Sequence, residues 1–175
     1  MPGLAEHYLA AAEKRFRYLK ELGEKAFAQV SDEAHFHAVL DRESNSLAVL
    51  IQHLRGNMLS RWTDFLTTDG EKPSRKRDTE FDREKKQSSN ELLDAWNEGW
   101  DCLFKTLATL QPSDLQRNIA IRGEDHSVLE AIQRQLTHCG YHVGQIVFLA
   151  KHLEAESWES LSIPRGQSEK FFRLK

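Results

Sequence analysis

Apolar residues recur at helical spacing through most of the chain. The stripe Leu4, Tyr8, Ala12, Phe16, Leu19, Gly23, Ala26 and Val30 predicts a first helix over 4–30, ended by Ser31 and Asp32. Residues 33–43 lack this pattern and read as a loop or short turn. Ser44 and Asn45 are both good N-cap residues. A second helix is expected from there to Leu66, with the stripe Leu47, Leu50, Leu54, Met58, Trp62 and Phe65, and Thr67-Thr68-Asp69-Gly70 stops it. The third opens at Ser88-Ser89-Asn90 and runs through Leu92, Trp96, Gly99, Leu103, Phe104 and Leu107 to Leu110, where Gln111-Pro112-Ser113-Asp114 breaks it. Arg117 to Asp125 alternates Ile119 and Ile121 with other residues and contains Gly123, which reads as a short extended hairpin. Ser127 followed three residues on by Glu130 is a capping-box pattern. It opens a fourth helix to about Glu154 with the stripe Leu129, Ile132, Leu136, Val143, Ile146 and Ala150. After Pro164 and Gly166 a short helix is expected from Ser168. The whole predicts an all-α four-helix bundle, one domain over 1–175, with a long loop between its second and third helices. Bundles of this kind hold cofactors in the core between facing helices.

Composition narrows the function classes. The chain is 29% charged with a net charge of −3, which argues against nucleic acid as the main partner, since phosphate binding needs a surplus of cations on one face. No apolar run is long enough for a membrane span, and Met1-Pro2-Gly3-Leu4-Ala5-Glu6 does not read as a signal peptide. Two cysteines, Cys102 and Cys139, form no disulfide framework and fit a reduced, cytoplasmic compartment.

The chemistry concentrates in histidines. His138 and His142 stand one turn apart on the fourth helix, and His53 lies on the second. Imidazoles at i and i+4 share a helix face and can grip one ion. A third from a facing helix completes a three-nitrogen site with an open position, the layout of a catalytic metal. The bland alternative is that these histidines decorate solvent-facing ridges. His53, Asn57 and Asp64 flank the second stripe, while Gln135, His138 and His142 flank the fourth. Arg61 falls inside the apolar stripe, where a charge is costly unless paired; Asp64, three residues on, is the expected partner. Asn57, Arg61, Asp64 and Gln135 are therefore candidates to orient the imidazoles or a bound water. Gly140 and Gly144, costly inside a helix, imply close approach by another segment or a ligand, or ordinary tight packing.

A resemblance adds to this. One histidine on the second long helix and His-x-x-x-His on the last resemble the DinB-like superfamily of metal-binding four-helix bundles, which is unrelated to the polymerase of similar name. The run from Gly56 to Lys72 (Gly-Asn-Met-Leu-Ser-Arg-Trp-Thr-Asp-Phe-Leu-Thr-Thr-Asp-Gly-Glu-Lys) and His142-Val143-Gly144-Gln145-Ile146-Val147 are similar to a bacterial subgroup of that superfamily with no assigned function. The resemblance covers nearly the whole chain. It implies that His53, His138 and His142 bind a divalent metal and that the protein is a homodimer; Trp158, Phe171 and Phe172 look exposed near the C-terminus and agree with the latter. Better-studied relatives carry out thiol-dependent transfer or isomerisation, or hydrolysis, but no substrate-pocket motif of theirs is recognisable here.

Two function classes follow. One is a metal-dependent enzyme, of thiol-dependent transferase or hydrolase type, acting on a small-molecule or thiol substrate. Three neutral imidazoles leave the ion's charge undiminished, so that a bound water or thiol loses its proton more readily. The ion is Zn, Ni, Fe or Mn, among which nitrogen ligands do not choose. The other is a non-catalytic dimeric stress or binding protein with a structural metal or none. Other candidates have bland readings: His35 and His37 as solvated loop residues rather than ligands, His7, His126 and His152 as surface or cap residues, Cys139 as a small core residue, Tyr141 as a weak acid/base candidate offset from the ligand face, and Trp96 and Trp100 as core. The basic run Arg75-Lys76-Arg77, in a loop of about 20 residues, either holds an anionic group or is solvated, its charge offset by Asp78, Glu80, Asp82 and Glu84.

Overall fold

Three of the four long helices begin at a serine that caps them. A computed structural model describes residues 3–173, with side chains described for residues 3–170. In it α1 spans Leu4–Phe27, α2 Leu47–Trp62, α3 Ser89–Thr109, α4 Val128–Leu153 and α5 Ser168–Arg173. Ser88 with Glu91 and Ser127 with Glu130 form reciprocal capping boxes at α3 and α4. At α2 the cap is Ser46, whose hydroxyl accepts from the Val49 amide, so the helix starts later than expected. It also ends earlier, at Trp62, because Asp64 takes a left-handed conformation (φ 48°), one that Asp tolerates better than most residues. Phe65 still reaches the core, stacking on Trp62 at 4.6 Å from beyond the helix. Residues 28–30 form a turn after α1 rather than its last turn.

α2 packs along α3 and α1 along α4, while α2 also meets α4 and α1 meets α3, which closes a four-helix bundle. The only sheet among the described residues is a hairpin, β1 (Asn118–Ile121) paired antiparallel with β2 (Glu124–Ser127), which abuts the start of α4. Its two-residue turn, Arg122-Gly123, has φ of 58° and 75°, as a turn matched to strand twist requires. The core is aromatic at its centre. Phe16 meets Trp62 and Trp100 edge-on at 6.2 and 6.3 Å, and Trp96 packs so closely over Gly23 that a Cβ there would lie 2.7 Å from its ring. Trp96 and Trp100 are core, as read from the sequence. Among the described residues no helix is long and apolar enough to cross a membrane.

α2 is buried on nearly every side, from Leu47 and Ile51 in the core to Ser60 and Arg61. What covers its remaining face is the strap of residues 63–88. The strap is pinned at both ends. The Asp69 carboxylate accepts from the amides of Glu71, Arg122 and Gly123, and Arg83 donates to the carbonyls of Arg42 and Ser44. Between them a 3-10 turn at Arg77–Phe81 lies on α2. The strap is thus an ordered cover, although many of its side chains, Lys76 and Arg77 among them, remain exposed.

Outside the site, His35 donates from Nδ1 to Glu154 at 2.7 Å, and Ser31 donates its amide and hydroxyl to the same carboxylate, which is 3% exposed. The His35 hydrogen bond, with those of Ser31, holds the Glu154 carboxyl below the usual carboxylate range against the opposing effect of burial. A carboxyl whose pKa is lowered by folding contributes stability that is complete above its unfolded pKa of about 4.3 and is lost as pH falls through the folded value. Glu154→Gln is expected to cost about 1–3 kcal/mol at pH 7, with the gap to the unmutated chain narrowing below about pH 4. Urea titrations at pH 7 and pH 3.5 check this; equal gaps at both would contradict it.

Candidate metal centre

His53 comes from the middle of α2, and His138 and His142 from successive turns of α4. Their side chains meet where the two helices face one another. Ring centroids are 4.8 Å apart for His53 and His142, 5.2 Å for His53 and His138, and 4.6 Å for the α4 pair. One nitrogen from each ring lies within 4.8 Å of the others, a set that can hold a metal ion. Nε2 of His53 and Nε2 of His138 are 3.2 Å apart.

Each outer ring is oriented through its far nitrogen. Nδ1 of His53 bonds a Glu80 oxygen at 2.9 Å, and Nδ1 of His142 bonds the Gln145 side-chain oxygen at 2.9 Å. An ionised carboxylate only accepts, so Nδ1 of His53 carries a proton and Nε2 is the atom turned toward the other rings. The same holds for His142 with the amide oriented this way. This is the arrangement in which metal-ligating imidazoles are held by their neighbours. Burial pushes the Glu80 carboxyl up, but the hydrogen bonds from His53 and Arg75 and the Arg75 charge outweigh it and hold the group ionised. Arg75 donates to both Glu80 oxygens at 2.7 and 2.9 Å, and its side chain is 5% exposed. His138 has no partner at its buried Nδ1. Burial, with His142 and His53 beside it, lowers its pKa to about 3, and burial lowers that of His142 as well. Both α4 imidazoles are neutral near pH 7, the form that binds a cation.

The other expected residues divide. Asn57, Arg61 and Gln135 are buried and line the same cavity of about 400 Å³ as the three histidines. Asn57 Oδ1 has no partner there, while Gln135 donates to Cys139 Sγ at 3.2 Å and not to an imidazole. Asp64 is not part of the site. It lies beyond the end of α2, exposed, and Arg61 pairs instead with Glu71 at 3.5 Å. Helix register pointed to Asp64, but the chain turns at that residue and brings back an acid seven residues further on. His35 is taken by Glu154, and His37 Nε2 donates to the Gln87 carbonyl at 2.8 Å, so neither joins the cluster. Burial drives the Cys139 thiol to about 12, which leaves it a core residue and no thiolate. Tyr141 is 64% exposed. A Cβ on Gly140 or Gly144 would meet nothing within 4 Å, so neither glycine marks a close approach. Trp158 is half-buried against the core, and the side chains of Phe171 and Phe172 lie outside the described residues.

Glu80 and Gln145 were missed in the sequence. Gln145 carried a signal, since it follows His142 by three residues on the same helix. Glu80 carried none of its own among four acids of a charged run.

The family model described as "Protein of unknown function (DUF1572)" matches residues 3–167, and the chain belongs to that family. No curated protein matches the chain, and no solved structure does.

Proposed function

Within that family, we propose that this chain is a divalent-metal protein whose ligands are His53, His138 and His142, and that it is an enzyme of transferase or hydrolase type. The observation that carries this reading is the convergence of three imidazoles from two helices, two of them fixed through Nδ1 so that Nε2 faces the common point. Histidines that merely decorate a surface have no reason to converge from two helices, one buried and two half-buried, and their lone pairs are destabilising at such distances without a cation or shared proton. The resemblance to the DinB-like superfamily points the same way. An ion held by three neutral ligands keeps its full charge and acidifies a water or thiol bound beside it. The chain's own contributions are separable: Glu80 and Gln145 hold the rings, and Arg75 keeps Glu80 ionised. Zn, Ni, Fe and Mn all suit the donor set.

An open coordination position separates enzyme from structural site. Water-proton relaxation of the Mn-loaded chain is expected to show at least one rapidly exchanging water on the ion. A closed shell with no exchanging water would favour the non-catalytic stress or binding protein. The reading includes a cytoplasmic homodimer. The outward side of α4, where Tyr141 and Phe148 are each 64% exposed, supports self-association. Light scattering should give twice the 20.2 kDa chain mass, and the single mass would contradict it.

A further inference from the structure

The cavity beside the three histidines is lined by five arginines, Arg61, Arg75, Arg77, Arg122 and Arg134, and by no carboxylate. The acids behind them are too few. Glu80 is committed to Arg75 and His53. Glu71 alone serves three guanidinium groups, at 3.5 Å from Arg61, 3.5 Å from Arg75 and 3.0 Å from Arg122. Arg77 lies over the Phe81 ring at 4.9 Å, and neither it nor Arg134 has an ion pair among the described residues. Most telling is Arg61. It is 8% exposed, its Nη1 is buried with no hydrogen-bond partner, and its single ion pair is long. A buried guanidinium left partly unpaired is costly. Burial, with Arg134, Arg122 and Arg75 nearby, lowers its pKa only to about 10, so it stays charged at pH 7. All this stands in a chain whose net charge is −3.

We infer that this cavity binds a small organic oxyanion, a carboxylate or a phosphate monoester, with its charged head on Arg61 and the arginines at the mouth and its apolar part against the aromatic wall. The guanidinium fork matches the paired oxygens of either head group. Trp62, Phe65, Phe81 and Ile121 line the same space, and about 400 Å³ suits a ligand of modest size. The inference deepens the metal-centre reading and rests on it only in placing the bound anion beside the ion.

Calorimetry with benzoate, phenyl phosphate and the neutral benzamide tests it, on the Zn-loaded chain and on the chain after chelation. At least one of the two anions is expected to bind in both states, with benzamide at least about tenfold weaker. Arg61→Met and Arg134→Met should each weaken the anion roughly ten- to a hundredfold, the range for a lost hydrogen bond to a charged group. Arg134 is exposed, so its replacement leaves the fold intact whatever Arg61→Met does. His35→Ala, whose ring is held by Glu154 and lies outside the cavity, should bind the anion as the unmutated chain does. Equal binding of benzamide, no binding of either anion, or anion binding that needs Zn and ignores both arginines would overturn the inference. Anion binding that needs the arginines in a chain that takes up no metal would uphold it while sinking the metal-centre reading.

Discussion

His142→Ala is expected to lose divalent-ion affinity by roughly a hundredfold or more while keeping its helices. Structural Zn sites store about 10–16 kcal/mol in a few bonds, so one lost ligand removes several kcal/mol. Alanine is the better helix former, and His142 is only partly buried, so α4 has no reason to unfold. Two imidazoles then remain, those of His53 and His138, which are too few to hold an ion firmly. His35→Ala is the control, because that ring is bound to Glu154 on another part of the bundle. Competition with a chromophoric chelator reads both variants. Equal affinity of His142→Ala and the unmutated chain would mean that the three histidines are no ligand set.

The second large effect is expected at Glu80, and it couples stability to the site. Its side chain is 9% exposed and accepts from Arg75 through both oxygens and from His53. Glu80→Ala leaves the buried Arg75 guanidinium with only a 3.5 Å contact to Glu71. Breaking a buried pair from one side costs about 3–5 kcal/mol. The same change frees the His53 ring, and losing the group that orients a ligating imidazole weakens metal affinity roughly 10–100-fold. Glu84→Ala, an exposed acid four residues on, should stay within about 0.5 kcal/mol of the unmutated chain and bind metal normally. Chemical denaturation and the chelator competition together check this. A Glu80→Ala chain as stable and as tightly metallated as the parent would show that the strap is only a cover.

The contrast between Glu80 and the histidines marks what the sequence could reveal. Helix periodicity made the bundle legible, and Ser127 with Glu130 located the start of α4. The i,i+4 pair on α4 and the flank position of His53 on α2 are enough in the sequence to bring all three rings together. The ends of α2 were less legible. Ser44, Asn45 and Ser46 are all capping residues, and only tertiary packing selects Ser46. Phe65 keeps the helical rhythm although it is buried from a turn. Long-range charge pairing was not legible at all. Arg61 took Glu71 over the nearer Asp64, and Glu80 looked like one of several acids in a solvated run. One available clue was α2 itself. Leu47, Ala48, Val49, Leu50 and Ile51 are consecutive and apolar, so no single stripe describes that turn and something had to cover its outer side. The strap does so and delivers Glu80.

The central claim is that three imidazoles hold one ion, and X-ray absorption on the metal-loaded chain tests it most directly. The chain should be purified without chelator or nickel resin and brought to one Zn per chain. About three imidazole nitrogens are expected at about 2.0–2.1 Å, with the remaining scatterer a light atom. Failure to retain Zn, Ni or Mn, or a spectrum without imidazole scattering, would contradict it.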